Sequence, residues 1–144
     1  MKPVHFRAQR WQEAVQHLLA VRRPEQAEQL VRRRLAEQPQ DAEAHRLLAL
    51  ALLNQPGRTA EAVLVLRQAL ALDPQASDAH YFLSVALGQS QQLFQALESI
   101  QEALRLDPFN VEYLGHKAAI LNARRHPKEA LATAATGLHS NPGH

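Results

Sequence analysis

The sequence predicts an all-α chain built from about four consecutive helix pairs. Its apolar residues are mostly Ala and Leu, and aromatic residues make up only 5% of the chain. Together with many Gln, Glu and Arg residues, this composition favours helices, because strands prefer β-branched and aromatic side chains. The second observation is a repeat, since four of the eight prolines stand 35, 34 and 34 residues apart at Pro39, Pro74, Pro108 and Pro142. A period of this length is typical of arrays whose repeat is one helix pair.

Other residue types keep the same phase as the four prolines. Alanine stands twelve positions before each of them, at Ala27, Ala62, Ala96 and Ala130. Leucine stands four positions before each, at Leu35, Leu70, Leu104 and Leu138. A further leucine follows the first three prolines by thirteen positions, at Leu52, Leu87 and Leu121. We expect the alanines where two helices cross closely and the leucines in the seam between paired helices.

Breaks between and within the repeats place the helices in order. Each periodic proline ends the second helix of a pair, because proline lacks an amide donor and its ring clashes with the preceding turn. A second break divides each repeat near residues 22–24, 55–57, 88–90 and 124–127. Pro24 and Pro127 suit the first turn of a second helix, and Thr59 and Ser90 are candidate N-caps. The predicted repeats span 8–41, 42–76, 77–110 and 111–144 of a single domain over 1–144.

These residues resemble the tetratricopeptide repeat (TPR) family. The tryptophan, leucine, alanine and terminal proline of the family pattern fall on Trp11, Leu18, Ala27 and Pro39. Residues 62–74 and 96–108 closely resemble the second helix of such a repeat. The end repeats depart from the pattern at Arg34, Lys117 and Gly137. The resemblance implies a right-handed α-solenoid of about four TPR repeats of the bacterial type, a scaffold for protein–protein interaction.

In the resembling family, the first helices of the repeats line a concave surface that accepts peptides or protein segments. Carried over by position, the candidate groove residues are Gln9, Gln12, Gln16, Glu43, Arg46, Leu50, Asn54, Asp78, Tyr81, Val85, Gln89, Glu112, Ala119 and Asn122. Three of them place an acid at one equivalent position of successive repeats, at Glu43, Asp78 and Glu112. Such a groove favours a neutral or mildly basic protein or peptide partner. Alternatively, these acids serve only solvation and the helix dipole.

One branch of the family grips the terminal carboxylate of chaperone peptides with Lys and Asn side chains. The corresponding positions in this chain hold Gln12, Gln16, Leu47, Asp78 and Phe82. The resemblance therefore implies that a carboxylate clamp is missing, which argues against an acidic chaperone tail as partner.

The residues offer no candidate set for catalysis. None of the eight histidines stands three or four positions from another, as a helical metal site requires, and the chain has no cysteine. His45 and His80 share the repeat position of Trp11, which indicates packing. The serines, Ser84 among them, lack a Gly-x-Ser-x-Gly context, and no glycine-rich phosphate loop is present. The sequence therefore predicts a protein that is not an enzyme and holds neither metal nor cofactor.

Charge and hydropathy argue against nucleic acid and membrane partners. The formal net charge is only +2, and the basic run 32–34 lies on a predicted helix, where consecutive side chains point in three directions. The longest apolar run, 47–53, is far shorter than the roughly 20 residues that span a bilayer. The first residues lack the apolar stretch of a secretory signal. We expect a cytoplasmic protein that binds no nucleic acid and does not insert into a membrane.

The C-terminal end supports a second functional hypothesis. Residues 127–139 form an alanine-rich predicted helix, whereas the last helix of a solenoid usually has a polar outer face. The final residues, 141–144, resemble the start of another repeat. The chain then either continues into a longer array or forms a homodimer through its C-terminal repeat. In this alternative it is a structural or oligomerisation segment that acts through its exposed C-terminal end face.

Overall fold

The computed structural model describes residues 3–125, with side chains from Arg10 onward. These residues form seven α-helices and no strand, which confirms the predicted all-α fold class. The chain divides into two compact units, Met1–Pro74 and Gln75–His144. The predicted last helix, with Pro127, Ala130, Leu138 and Pro142, lies outside the described residues.

The first unit contains four helices, α1 (Pro3–Ala20), α2 (Pro24–Glu37), α3 (Ala42–Leu53) and α4 (Thr59–Leu72). Each of them packs against the next along the chain. Pro24 occupies the first turn of α2, where its missing amide leaves no hydrogen bond unmade. Asp41 caps α3, because its carboxylate accepts a hydrogen bond from the amide of Ala44 at 3.1 Å. As predicted, α2 and α4 end two residues before Pro39 and Pro74.

The second unit contains α5 (Ser77–Gln89), α6 (Leu93–Leu106) and α7 (Val111–Arg125) among the described residues. α6 packs against both of its neighbours, and α5 also contacts α7 directly. α6 ends two residues before Pro108, in the same relation to its proline as α2 and α4. Asn110 caps α7, since its side-chain oxygen accepts a hydrogen bond from the amide of Tyr113 at 3.1 Å.

The turns within the three described helix pairs share one backbone feature. Each contains a residue with positive φ: Arg22 at 63°, Gly57 at 77° and Gln91 at 62°. A residue in this left-handed region lets the chain leave the preceding helix while its last carbonyls stay hydrogen-bonded. Thus the amide of Arg23 bonds the carbonyl of Leu18 at 2.8 Å, and the amide of Gln92 bonds that of Leu87 at 2.9 Å. Two of the three turns therefore adopt a glycine-favoured conformation without glycine.

Two predicted N-cap residues do not cap a helix in the structure. Thr59 is the first helical residue of α4, and Arg58 holds the N-cap position without a side-chain cap bond. Ser90 lies at the C-terminus of α5, where its hydroxyl donates to the carbonyl of Ala86 at 3.1 Å, and Gln92 precedes α6. Both predictions were wrong because the turn fixes the helix start through backbone geometry, and a hydroxyl nearby in the sequence does not shift it.

The predicted alanine column lies in the core. Ala27, Ala62 and Ala96 are completely buried, as close crossing of paired helices requires. Four residues after each of them, a β-branched or leucine side chain is also completely buried, at Val31, Leu66 and Ile100. This second column was not predicted, because its residue type varies from repeat to repeat.

The two leucine columns are placed less uniformly. Leu35, Leu70 and Leu104 are half-buried, so they border the core instead of filling it. Leu52 and Leu87 are buried as predicted, but Leu121 is 41% exposed. In α7 the buried side is formed by Tyr113, His116, Ile120 and Ala123, so Ile120 takes the place expected for its neighbour.

Arg34, a departure from the family pattern, has a structural explanation in the first unit. Its guanidinium lies 5.4 Å from the centroid of the Trp11 ring, within the range of a cation–π contact. Its Nε also donates to Asp41 at 3.0 Å. The side chain thus joins α1 to the residue that caps α3, which a small alanine cannot do.

Candidate protein-binding face

The predicted groove residues lie on α1 and α3 in the first unit and on α5 and α7 in the second. We call this set the first-helix face. Each member whose side chain is described is exposed or half-buried, and the side chain of Gln9 lies outside the described residues. Within each unit the face can be followed from contact to contact.

In the first unit, Glu43 is held between two other residues of the face. The side-chain amide of Gln12 on α1 donates a hydrogen bond to the Glu43 carboxylate on α3. The guanidinium of Arg46, one turn further along α3, lies 3.2 Å from the same carboxylate. The first acid of the predicted acidic column and the predicted main cation therefore compensate each other, so this part of the face carries little net charge.

The rest of the face in the first unit is polar or half-buried. Asn54 ends α3, and its side-chain amide donates to the carbonyl of Leu50 at 2.7 Å. Leu50 itself is half-buried, whereas Gln16 on α1 is exposed. These groups can offer hydrogen bonds to a peptide backbone and a small apolar contact.

The second unit has a different character, because aromatic rings cluster at its face. The ring of Tyr81 on α5 stacks on that of Tyr113 on α7, with centroids 5.0 Å apart and planes inclined by 28°. The ring of His116 meets Tyr81 edge-on at 5.4 Å, and Phe82 lies tilted at 5.3 Å. Tyr81 is half-buried, and Tyr113 is 5% exposed. Tyr81 is therefore the member of the stacked tyrosine pair that reaches the surface, and Phe82 beside it is half-buried as well.

Carboxylates act on this cluster. Burial raises the pKa of Tyr81, and the charge of Glu112 raises it further. Burial also raises the pKa of Tyr113, and a hydrogen bond with Ser77 partly opposes this shift. The negative charges of Asp78, Asp107 and Glu112 raise the pKa of Tyr113 further. The Tyr113 and Ser77 hydroxyls are 3.3 Å apart. The face of the second unit thus combines an aromatic surface with negative potential.

Two members of the cluster, Tyr113 and His116, were not predicted. Tyr113 occupies the repeat position that Ala44 and Ala79 hold in the preceding repeats, both completely buried. A large ring at a position of small residues was the signal in the sequence. It marks the place where a side chain on α7 reaches the first helix of the preceding repeat.

His116 and Ser84 form a buried polar pair in the second unit. The hydroxyl of Ser84 donates to the carbonyl of Ala96 at 2.6 Å, so the Nε2–H of His116 donates to the Ser84 oxygen at 3.1 Å. Burial lowers the pKa of His116 to about 4, against an opposing hydrogen bond with Ser84. Ser84 has no exposed surface and uses its proton within the core, which is a packing arrangement unsuited to a nucleophile.

The three acids of the column share a further property. Glu43, Asp78 and Glu112 are each the second residue of their helix, in α3, α5 and α7. An acid in the first turn stabilises a helix by interacting with its dipole. The three acids can therefore contribute to helix stability, to partner binding or to both, and each contribution requires its own test.

The described residues also bear on metal binding and on membrane insertion. Between residues 3 and 125, no group of three or more His, Asp or Glu side chains is arranged to hold a metal ion. In the same range, no helix combines the length and apolar character that crossing a membrane requires.

Comparison with known sequences identifies the architecture. Two tetratricopeptide repeat sequence profiles match the chain, one over residues 13–77 and the other over residues 53–120. The chain belongs to the tetratricopeptide repeat family. TPR proteins are protein-interaction scaffolds. No functionally curated protein matches this TPR chain in sequence.

Solved structures agree with the assignment of the TPR fold. The first TPR domain of Spaghetti (RPAP3), bound to the HSP90 peptide SRMEEVD, is similar with a TM-score of 0.77 at 19% identity, over 82% of this chain and 95% of that one. The MamA protein is similar with a TM-score of 0.72 at 17% identity, over 88% of this chain and 70% of that one. At such identities the likeness concerns the fold alone.

Proposed function

We propose that this TPR chain is a protein-interaction module that binds a neutral or mildly basic protein segment on its first-helix face. The observation that carries the proposal is the second unit, where Tyr81 presents an aromatic surface and Glu112, which directly precedes the stacked Tyr113, presents an exposed carboxylate. Aromatic side chains with a polar tip are enriched at protein interfaces, because they bury a large area and keep a hydrogen-bonding group. The accessible amides of Gln16, Gln89 and Asn122 suit hydrogen bonds to an extended backbone.

The same face is unsuited to an acidic terminal peptide. The positions that would form a carboxylate clamp hold no cation, and one of them, Leu47, is buried in the core of the first unit. Arg46, the cation of the face in that unit, is already paired with Glu43. The peptide SRMEEVD, held by the structurally similar Spaghetti domain, is therefore a suitable negative control ligand.

The proposal is tested by reversing the three acids of the face. The triple variant Glu43→Lys, Asp78→Lys, Glu112→Lys is compared with the intact chain for capture of a partner from native cell extract. The matched control reverses three exposed acids on second helices, with Glu25→Lys and Glu37→Lys on α2 and Glu98→Lys on α6. Both variants change the net charge equally, so nonspecific charge effects cancel.

We expect the face variant to lose the partner and the control variant to keep it, with both retaining the helical circular dichroism of the intact chain. Because Glu43 also accepts a hydrogen bond from Gln12, the single variant Glu112→Lys is measured as well. Glu112 is exposed, so this variant leaves the packing of α7 intact. Retention of the partner by the folded face variant contradicts the proposal.

The alternative, a structural or oligomerisation segment, rests on another observation in the second unit. Val111 and Leu114 on α7 are 74% and 47% exposed, and Leu121 lies on the same side of the helix. An apolar row of this kind suits a second copy of the chain. Residues 126–144, to which this alternative assigns the C-terminal end face, lie outside the described residues. Light scattering over a range of concentrations tests this alternative, and a strict monomer at high concentration rules out the homodimer.

A further inference from the structure

Tyr81 is an accessible ring held in place by its neighbours. Tyr113 stacks against it, His116 meets it edge-on, and Phe82 packs at a tilt, all with centroids between 5.0 and 5.4 Å away. The two rings from α7 are themselves buried, at 5% and 7% exposure. A ring fixed in this way loses little conformational freedom when a ligand covers it, which favours binding.

The charge beside the ring is negative. Glu112 lies on the first turn of α7, and its carboxylate is exposed. It makes no hydrogen bond or ion pair with any residue between 10 and 125, and it directly precedes Tyr113, whose ring stacks on Tyr81 with centroids 5.0 Å apart. Its charge also raises the pKa of both tyrosines. Asp78 and Asp107 add negative charge around Tyr113. The tyrosine ring and this carboxylate together form an aromatic and anionic surface on one unit.

Resting on the proposed function, we propose that Tyr81 and Glu112 form a subsite for one arginine side chain of the bound segment. A guanidinium can stack on the tyrosine ring while its N–H groups donate to the carboxylate. Arginine satisfies both contacts at once, because its planar group stacks on aromatic faces and presents several donors in a fork. An apolar side chain would cover the ring but leave the Glu112 carboxylate desolvated without a partner, and an acidic one would be repelled.

The test begins with short random peptides displayed on phage and selected on the full-length chain. Selected peptides are synthesised in pairs, one with arginine and one with citrulline, which has nearly the same shape but no charge. We expect the citrulline peptide to bind the intact chain about tenfold more weakly, consistent with a cation–π contact plus a charge-assisted hydrogen bond.

Two variants test whether Tyr81 and Glu112 cause the preference for arginine over citrulline. In Tyr81→Leu and in Glu112→Gln we expect the preference to fall to about threefold, since each variant keeps one of the two contacts, the carboxylate in the first and the ring in the second. Glu112→Gln changes an exposed side chain and keeps the fold, so the test does not depend on the tolerance of the core to Tyr81→Leu. The matched control is Glu98→Gln, an exposed acid on α6 of the same unit, which should leave the preference unchanged.

The outcomes separate this inference from the proposed function. If selected peptides lose affinity for the triple charge-reversal variant but bind equally well with citrulline, the proposed function stands and the arginine subsite is wrong. An arginine preference that survives in Glu112→Gln at full strength also overturns the subsite. If no peptide is selected, or if binding is indifferent to reversal of the face, both proposals fail.

Discussion

The carboxylate of Glu28 on α2 lies 3.0 Å from the guanidinium of Arg58, the residue that precedes α4. The same carboxylate accepts hydrogen bonds from Arg32 on its own helix and from Gln55 in the turn between α3 and α4, both at 2.9 Å. Glu61 on α4 completes the network with ion pairs to Arg32 and Arg58, each 2.8 Å long. These contacts join α2 to the following helix pair within the first unit.

Removing the centre of this network should destabilise the first unit. We expect Glu28→Ala to lower the free energy of unfolding by about 1–2 kcal/mol, because it deletes several charge-assisted hydrogen bonds and leaves the buried side-chain amide nitrogen of Gln55 with only the weaker bond to the Ala51 carbonyl at 3.2 Å. Urea denaturation followed by circular dichroism measures the change. Glu25→Ala, an exposed acid on the same helix, should alter stability by less than about 0.5 kcal/mol. Equal effects of the two substitutions would show that the network contributes nothing.

Because of this network, the stability of the first unit should decrease at acid pH. Burial alone would raise the pKa of Glu28, but hydrogen bonds from Arg58, Gln55 and Arg32 outweigh it and lower the pKa from 4.5 to about 2. The stabilisation from this depressed pKa is complete above pH 4.5 and is lost as pH falls towards 2. Hydrogen exchange of the α2 amides should report the loss in this window, and Glu28→Gln should remove it.

Protonation of His116 should destabilise the second unit at a higher pH than the pH at which Glu28 destabilises the first. Burial lowers the pKa of His116 from 6.5 to about 4, so between these values the unfolded chain binds a proton that the folded chain does not. Stability is therefore greatest above pH 6.5 and falls by up to about 3 kcal/mol as pH drops to 4. The check is a series of denaturation curves from pH 7 to pH 4 for the intact chain and for His116→Gln. The variant should show a flatter pH profile, whereas identical slopes would contradict the buried neutral imidazole.

Two substitutions in the turns between paired helices should change the stability of the chain in opposite directions. Gln91 has φ 62°, a conformation that is unfavourable for a side chain, so Gln91→Gly should stabilise the chain by about 0.5–1 kcal/mol. Gly57→Ala should destabilise it by about 1 kcal/mol through backbone strain alone, because an added Cβ would meet no atom within 4 Å. Thermal denaturation of the two variants and the intact chain measures both effects. A stabilising Gly57→Ala would mean that the turn does not hold its positive φ.

The fold was largely predictable from sequence because its strongest constraints repeat. Prolines that stop helices and alanines that permit close crossing recur with the same spacing, and both columns fall where predicted in the described residues. The column of Val31, Leu66 and Ile100 was not predicted, since any bulky aliphatic residue satisfies it. The prediction that Leu121 lies in the seam between helices was wrong, because α7 turns the neighbouring Ile120 towards the core instead.

The candidate site was predictable only in outline. Position in the repeat indicates which residues lie on first helices, but it does not indicate which of them contact each other. The pairing of Glu43 with Gln12 and Arg46 removes charge that a sequence count assigns to the face. The stacking of Tyr81 on Tyr113 joins two helices, and such a contact depends on how α5 and α7 pack.

Binding on the first-helix face is tested most directly by finding which helices a bound peptide touches. A photo-crosslinking amino acid is placed at Asn122 on α7, within the first-helix face, or at Gln101 on α6, an amide outside it that is also exposed. Each protein is irradiated with a peptide selected on the intact chain, and the crosslinked product is measured by mass spectrometry. We expect crosslinking from position 122 and little or none from position 101. Crosslinking from position 101 alone, or equally from both, would contradict a binding site on the first helices.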